Sequence, residues 1–116
     1  MSHFTEVKNR VDVPVVIANH DGFVTFINGE FTNIYEWKPE DLIGKPLTKI
    51  LPKIFSDAHN LAFSRFQATE IVNVLNHPLE LMTVTKSDRE VLSEHFITAE
   101  KIDGIWHFAA VLRPLA

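Results

Sequence analysis

Residues 13–28 have the sequence VPVVIANHDGFVTFIN, and this stretch decides how the chain folds. The run Val13–Ala18 is short and rich in β-branched residues, which is typical of a buried strand. Pro14 has no backbone N–H to donate, so it belongs at the start of that strand or on an edge. Asp21-Gly22 is a turn signal, and Phe23–Ile27 follows as a second strand. The stretch therefore predicts a tight antiparallel hairpin.

The residues after the hairpin allow two interpretations. Asn28-Gly29 is a strong signal for a two-residue hairpin turn, but Asn28 is also a good N-cap for a helix. Phe31, Ile34 and Tyr35 follow at helical spacing, which favours the helix. Residues 39–44, PEDLIG, then begin with proline, carry two acids and end with glycine. That pattern predicts a single helical turn.

A longer helix is predicted downstream, beginning at Ser56 as N-cap and running to about Thr69. His59 falls within the apolar arc of this helix, which consists of Ala58, Leu61, Ala62, Phe63 and Phe66. A histidine in that position is either a half-buried residue with a backbone partner or an anchor for a ligand. Both interpretations stay open from the residues alone.

Three strands are predicted in the C-terminal third of the chain. Leu79–Thr85 and Val91–Ala99 flank a turn at residues 86–89, and Ile105–Arg113 follows an Asp103-Gly104 turn. Strands therefore gather at both ends of the sequence, with helices between them. This order is typical of an α+β domain in which helices cover one face of an antiparallel sheet.

Composition limits the kind of protein this is. With 116 residues, one domain is expected. The absence of cysteine excludes disulfides, thiolate metal sites and a cysteine nucleophile. The 11 basic residues are outnumbered by 15 acidic ones, so no nucleic-acid partner is expected. Apolar runs are short and residues 1–10 do not resemble a signal peptide, so we expect a cytoplasmic location without membrane insertion.

Two motifs in the N-terminal half resemble a known family. Residues 21–28, DGFVTFIN, are similar to the D-x-G-x-I-x-x-x-N opening of PAS domains. Residues 35–45, YEWKPEDLIGK, resemble the G-Y-S-x-E-E-L-I-G-K segment of the same family. The resemblance continues through the predicted long helix and the final strands. We therefore divide the chain into an N-terminal arm or flanking helix at residues 1–12 and a PAS sensory domain at residues 13–116.

The sequence departs from the family pattern at several positions. Glu36 stands where the family usually has glycine, and Lys38 where it has serine. Asp88-Arg89 occupies the place of an Asp-Gly pair, and Arg113-Pro114 that of a closing Arg-Asp pair. One fold hosts many activities, so the resemblance says more about the fold than about the function.

The resemblance implies a five-stranded antiparallel sheet in the order 2-1-5-4-3, with helices folded over one face. It also implies a sensory or dimerisation module that holds a small molecule, a haem or a flavin between the sheet and the long helix, or holds nothing. Such domains signal to an attached effector, for example a histidine kinase or a diguanylate cyclase. A homodimer would use an outer-face surface supplied by Val11, Val13, Val111 and Trp106 or His107.

His59 has a sharper interpretation within the family. The oxygen-sensing subclass binds haem iron through a histidine in a segment like H-x-x-x-x-S-R-Y, and residues 59–66 here are HNLAFSRF. A neutral imidazole in an apolar cavity suits an iron porphyrin. Against haem, Glu80 lies near the place where that subclass has a distal arginine. The light-sensing subclass needs a reactive cysteine, so cysteinyl-flavin photochemistry is excluded and the cofactor stays unassigned.

Strand alternation selects the other candidates for ligand binding. The strands are expected to present Leu81, Glu94, Phe96, Phe108, Ala110 and Leu112 to the helices. The long helix is expected to contribute His59, Ala62, Phe63 and Phe66. A few polar groups in an otherwise apolar cavity are the usual composition of a ligand site. A filled core is the alternative interpretation of the same residues.

The register of the strand Val91–Ala99 has two solutions. In the first, which the candidate set uses, Leu92, Glu94, Phe96 and Thr98 all face inward. In the second, Glu94 faces solvent and His95 points inward, because a slip of one residue exchanges the two faces of a strand.

The sequence is therefore interpreted as a sensory PAS domain of a bacterial signal-transduction protein. It is expected to bind a small-molecule ligand, to form a homodimer and to signal to an effector outside this chain. A ligand-free dimerisation module and a haem-binding gas or redox sensor that uses His59 are the alternatives. The chain has no G-x-S-x-G, Walker or close metal-ligand motif, so an enzyme is not expected.

Overall fold

The structure is a computed structural model that describes residues 3–52 and 78–115. The helices are α1 His3–Lys8, α2 Gly29–Tyr35, α3 Pro39–Leu42 and a 3₁₀ helix at Leu47–Ile50. The strands are β1 Val15–Asn19, β2 Val24–Ile27, β3 Pro78–Val84, β4 Glu90–Ile102 and β5 Ile105–Pro114. The order of the strands and of α2 and α3 agrees with the predicted one, whereas the 3₁₀ helix was not predicted. The predicted helix from Ser56 to Thr69 lies outside the described residues.

The strands form one antiparallel sheet in the order β2-β1-β5-β4-β3, which confirms the predicted order. Val16 of β1 lies opposite Ala110 of β5, and Ala110 lies opposite Ile97 of β4. The first and last strands of the chain are therefore neighbours inside the sheet. β1 is buried along most of its length, as its β-branched run predicts, because it has a partner strand on each side and helices on both faces.

Asn28 begins a helix and not a second hairpin turn. Its backbone is extended, and its side-chain oxygen accepts a hydrogen bond from the N–H of Phe31 at 3.0 Å. The cap satisfies one of the helix donors that lack a partner in the first turn. Phe31 and Tyr35 are fully buried, with ring centroids 5.0 Å apart. The helical interpretation is confirmed, and α3 has Pro39 in its first turn as predicted.

The long hairpin of β4 and β5 turns at Asp103-Gly104, as predicted, where both residues have positive φ angles of 52° and 79°. Such a pair matches the twist of a two-residue hairpin. In the part of the chain that the structure describes, β1 pairs with residues 107–111 and β3 with residues 90–96. The hairpin end therefore projects beyond these neighbours, with Ile102 and Ile105 exposed.

Two apolar clusters lie on opposite sides of the sheet. We call the side covered by α2 and α3 the inner face and the side covered by α1 the outer face. The inner cluster consists of Val16, Val24, Ile27, Phe31, Tyr35, Trp37, Leu42, Ile50 and Leu112. The outer cluster consists of Val7, Val15, Ile17 and Ala109. Consecutive residues of β1 divide between the clusters because strand side chains alternate between faces.

Candidate ligand-binding site

β5 presents its predicted candidate residues to the inner face. Leu112 belongs to the inner cluster and Ala110 packs against it, whereas Ala109 belongs to the outer cluster. Leu112 is fully buried, while Ala110 and Phe108 are half-buried. The alternation predicted for this strand is confirmed, and its contribution to ligand binding stays a prediction.

The inward residues of β4 differ from those chosen from the sequence. His95 lies opposite Leu112 of β5, and Glu94 lies opposite Arg113. Directly opposed residues of an antiparallel pair share a face, so His95 points inward and Glu94 points outward. The assignment of Leu92, Glu94, Phe96 and Thr98 to the inner face was wrong, because the observed register is the one shifted by one residue.

This error has a physical cause, which is that each face of β4 carries both polar and apolar side chains. His95 on the inner face is 5% exposed, and Thr98 on the outer face, opposite Ala109, is 4% exposed. A strand with polar and apolar residues on each face does not alternate cleanly between the two kinds, so its pattern leaves the register open. Glu94 instead forms an ion pair with Arg113 at 3.1 Å on the outer face.

Buried polar side chains cross the inner face of β3 and β4, and we call Thr83, Ser93 and His95 the polar strip. Thr83 Oγ1 lies 2.9 Å from His95 Nε2. Tyr35 of α2 reaches the strip, with its hydroxyl oxygen 2.6 Å from Ser93 Oγ. Burial raises the pKa of Tyr35, and the hydrogen bond with Ser93 partly opposes that rise. These bonds offset the cost of placing hydroxyl and imidazole groups away from water.

The sequence predicted only part of the polar strip. His95 was indicated by the alternative register of β4. Thr83 and Ser93 were missed, because a buried threonine or serine on a strand has the same local pattern as an exposed one. Their inward orientation becomes visible only in the paired strands, where Thr83 lies opposite Val91 and Ser93 lies opposite Leu81.

Half-buried apolar side chains border the polar strip. Leu81 lies opposite Ser93 and Ile97 lies opposite Ala110, so Leu81 and Ile97 face inward. Of the predicted set, the inner face brings together Leu81, Phe108, Ala110 and Leu112. The remaining candidates His59, Ala62, Phe63 and Phe66 lie outside the described residues. A buried polar group among apolar side chains is a typical composition for a ligand-binding surface.

The chain between α2 and α3 is fixed to the turn after β3, and we call residues 35–41 the α2–α3 corner. Glu36 ends α2 with φ 74°, a left-handed conformation that usually favours glycine. Its carboxylate accepts hydrogen bonds from the backbone and hydroxyl of Ser87 and from Arg89 at 3.0 Å. The bonds from Ser87, and then from Arg89, lower the pKa of Glu36 to about 2. Two departures from the family pattern, Glu36 and Arg89, thus contact each other.

Trp37 is the apolar centre of the same corner. Its Nε1 donates to the carbonyl of Val84 at 2.9 Å, at the end of β3. The ammonium groups of Lys49 and Lys86 each lie 5.6 Å from the centre of its ring. Lys86 also forms an ion pair with Asp41 at 2.8 Å, which lowers the pKa of that carboxyl. The corner therefore sets the position of α2 and α3 relative to β3 and the polar strip.

An open concavity of about 480 Å³ lies beside this corner. Its lining includes Lys49, Leu51, Pro52, Val84, Asp88 and Glu90. Charges of both signs surround it, and its described lining contains none of the predicted ligand-binding residues. Its described lining also contains none of the three residues of the polar strip.

The described residues form neither a metal-binding cluster nor a membrane-spanning helix. Among residues 3–52 and 78–115, no three His, Asp or Glu side chains lie close enough together to hold a metal ion. In the same ranges, no helix has the length and apolar character needed to cross a membrane.

The chain is similar to known PAS domains both in sequence and in structure. A family model described as the PAS fold matches residues 3–94. The structure of a PAS domain from Desulfitobacterium hafniense is similar with a TM-score of 0.74 and 15% identity, covering 98% of this chain and 100% of that chain. The structure of a PAS domain from a two-component sensor histidine kinase has a TM-score of 0.71 and 15% identity, covering 95% and 90%.

A third similar structure contains a bound molecule. It is the RpfR quorum-sensing receptor PAS domain of Cronobacter turicensis in complex with C12:0, with a TM-score of 0.69 and 13% identity. The match covers 93% of this chain and 98% of that one. No curated protein sequence matches significantly. Because the family model spans most of the sequence, the chain belongs to the PAS family, whose members are sensory modules of signalling proteins such as histidine kinases.

Proposed function

We propose that this chain is the sensory PAS domain of a bacterial signal-transduction protein and binds a small molecule against the inner face. The observation that supports a ligand site is the polar strip. Thr83, Ser93 and His95 are buried there beside apolar residues that are only half-buried. Small-molecule sites combine apolar walls with a few convergent polar groups in this way.

The surroundings of the strip favour a ligand with an apolar body and one hydrogen-bonding group. Leu81, Ile97, Phe108 and Ala110 would contact the apolar body, and the imidazole of His95 would contact the polar group. The similar RpfR domain in complex with C12:0 supports a ligand of this class. His59, Ala62, Phe63 and Phe66 are proposed to complete the site.

We also propose that the domain forms a homodimer and signals to an effector domain outside this chain, of the histidine kinase or diguanylate cyclase type. Apolar side chains on the outer face support a protein contact there. Leu92 is 40% exposed, and Phe96 and Val111 are half-buried. Exposed apolar surface of this kind often marks an interaction site.

Native mass spectrometry of freshly purified protein tests this proposal. We expect the mass of a dimer plus one small molecule per chain, which is released on denaturation and has no visible absorption. The mass of the polypeptide alone would contradict ligand binding and favour the ligand-free dimerisation module. A Soret band in the absorption spectrum would overturn the apolar-ligand class and favour haem binding at His59. A monomer mass would contradict the proposed dimer.

Two neighbouring residues of β4 provide matched variants for the same measurement. We expect His95→Phe to reduce ligand occupancy by about tenfold, because it removes a buried hydrogen-bonding group. Glu94→Gln, on the outer face, should retain full occupancy. If His95→Phe does not fold, Thr83→Val removes the partner of the imidazole while keeping the side-chain volume. Equal occupancy in the folded inner-face variant and in Glu94→Gln would overturn the assignment of the site to the strip.

A further inference from the structure

The open concavity beside the α2–α3 corner is lined by charged residues from two segments of the chain. Asp88 and Glu90 come from the turn after β3 and the start of β4, and Lys49 comes from the 3₁₀ helix. The remaining described lining is apolar and consists of Leu51, Pro52 and Val84. A volume of about 480 Å³ is large enough to hold a small molecule. The concavity thus combines apolar surface with a few charged groups, as ligand sites do.

The basic residues nearest to these two acids are engaged elsewhere. Arg89 lies between them in the sequence, but its guanidinium group forms an ion pair with Glu36 at 3.0 Å. Lys86, in the same turn, forms an ion pair with Asp41 at 2.8 Å. No described residue forms an ion pair with either acid of the concavity. The α2–α3 corner therefore uses both cations of the turn and leaves its acids to the concavity.

Lys49 also keeps its charge uncompensated. Its ammonium group lies 5.6 Å from the centre of the Trp37 ring, and such a cation–π contact attracts the charge without neutralising it. In residues 3–52 and 78–115, no carboxylate forms an ion pair with Lys49. Positive and negative groups therefore line the same concavity without pairing with each other.

The backbone that carries Asp88 is fixed by hydrogen bonds within the turn. The N–H of Thr85 donates to the carbonyl of Arg89 at 2.8 Å, and the N–H of Asp88 donates to the carbonyl of Thr85 at 3.0 Å. Asp88 has a φ of 67°, a left-handed conformation that aspartate and asparagine adopt more readily than most residues. A group that is already held in place costs less entropy when a ligand binds to it.

We propose that this concavity binds a small zwitterion, which carries an ammonium group and a carboxylate on a short apolar body, as a free amino acid does. The ammonium group of the ligand contacts Asp88 and Glu90, and its carboxylate contacts Lys49. A simple cation would be repelled by Lys49 and a simple anion by the two acids, so a molecule with both charges is the complementary one. The site shares no described residue with the polar strip, so the inference goes beyond the ligand proposed for the inner face.

An NMR titration of the protein with L-leucine tests this proposal. We expect saturable shifts of the amides of residues 49–51 and 84–90, with millimolar affinity because the concavity is open and its charges are screened by water. Isoamylamine lacks the carboxylate of leucine and 4-methylpentanoate lacks its amine, so each should bind at least about threefold more weakly. Absence of saturable shifts, shifts confined to the inner face, or equal binding of the three probes would overturn the proposal.

Variants of both signs of charge identify the groups that bind each end of the probe. Asp88→Asn suits the left-handed backbone, and Lys49→Met keeps an apolar stem, and each should weaken L-leucine binding about threefold or more. Isoamylamine binding should fall only in Asp88→Asn, and 4-methylpentanoate binding only in Lys49→Met. Glu40→Gln and Lys45→Met, at exposed positions outside the described lining, are the matched controls and should bind L-leucine as the wild type does. Equal losses in the controls and in the concavity variants would overturn the assignment of the site.

Discussion

The two faces of the sheet hold their helices by different means. On the inner face, α2 and α3 are attached through the inner cluster, the bond between Tyr35 and Ser93, and the contacts of the α2–α3 corner. On the outer face, α1 contributes Val7, which is 6% exposed, to a smaller cluster. Local opening follows the number of buried contacts and hydrogen bonds. We therefore expect α1 to open at a low free energy and the inner helices to open only with global unfolding.

The largest difference in the free energy of unfolding is expected between Phe31→Ala and Val7→Ala. Phe31 is fully buried in the inner cluster, so its truncation should lower the free energy of unfolding by about 3–5 kcal/mol. Val7→Ala should change global stability much less and mainly speed the amide exchange of α1. Urea denaturation followed by tryptophan fluorescence gives the global values. Equal losses of stability in the two variants would contradict the expected difference in how strongly the two faces hold their helices.

Tyr35→Phe should have an intermediate effect on the inner attachment. It removes the hydroxyl bonded to Ser93, and we expect a loss of about 0.5–1.5 kcal/mol. The loss stays in this range because Ser93 Oγ also donates to the carbonyl of Val91 at 3.3 Å. The urea midpoint measures it. A loss similar to that of Phe31→Ala would mean that the polar strip, and not apolar packing, dominates the inner face.

The contribution of Glu36 to the α2–α3 corner should appear in the pH dependence of the free energy of unfolding. Its pKa is about 2 in the folded protein and near the ordinary 4.5 in the unfolded chain. The unfolded state thus binds more protons between these values, so the stabilisation is complete at neutral pH and is lost as pH falls from about 4.5 towards 2. Glu36→Gln should flatten this part of the stability profile.

Arg89→Gln is the companion variant for the acid profile. It leaves the hydrogen bonds from Ser87 in place, which are the larger cause of the lowered pKa of Glu36. We therefore expect it to remove only part of the slope between pH 4.5 and 2. An unaltered profile in Glu36→Gln would contradict the role of this carboxylate.

The smallest effect is expected for the ion pair of Glu94 with Arg113 on the outer face. The Arg113 side chain is 66% exposed, and exposed pairs contribute about 0–1 kcal/mol. Glu94→Gln should therefore lie within about 1 kcal/mol of wild type in urea denaturation at moderate salt. A larger loss would argue that Glu94 is buried, as the register predicted from the sequence would require.

The helix after Asn28 shows what a local sequence pattern can predict. The sequence offered a hairpin turn and a helix at this point, and the spacing of Phe31, Ile34 and Tyr35 favoured the helix. That inference succeeded because a helical period leaves a signal within a few residues. The contacts of Asn28 with Arg10 and Val13 had no such signal, because they join residues far apart in the chain.

The α2–α3 corner shows what local pattern misses. Glu36 and Arg89 were recognised separately as departures from the family pattern. Their ion pair at 3.0 Å brings together side chains 53 positions apart. No periodicity or spacing rule connects them, because the contact exists only once β3 is placed beside the end of α2.

The sequence by itself determined the class of fold, the order of the strands through the family motifs, the turns at Asp21-Gly22 and Asp103-Gly104, and the alternation of β5. These features depend on short-range chemistry, in which turn residues and periodic apolar positions act within one element. Only the tertiary structure decided which side of β4 faces inward, and hence the polar strip. Each side of that strand carries polar and apolar residues, so its neighbours and not its own composition fix the register.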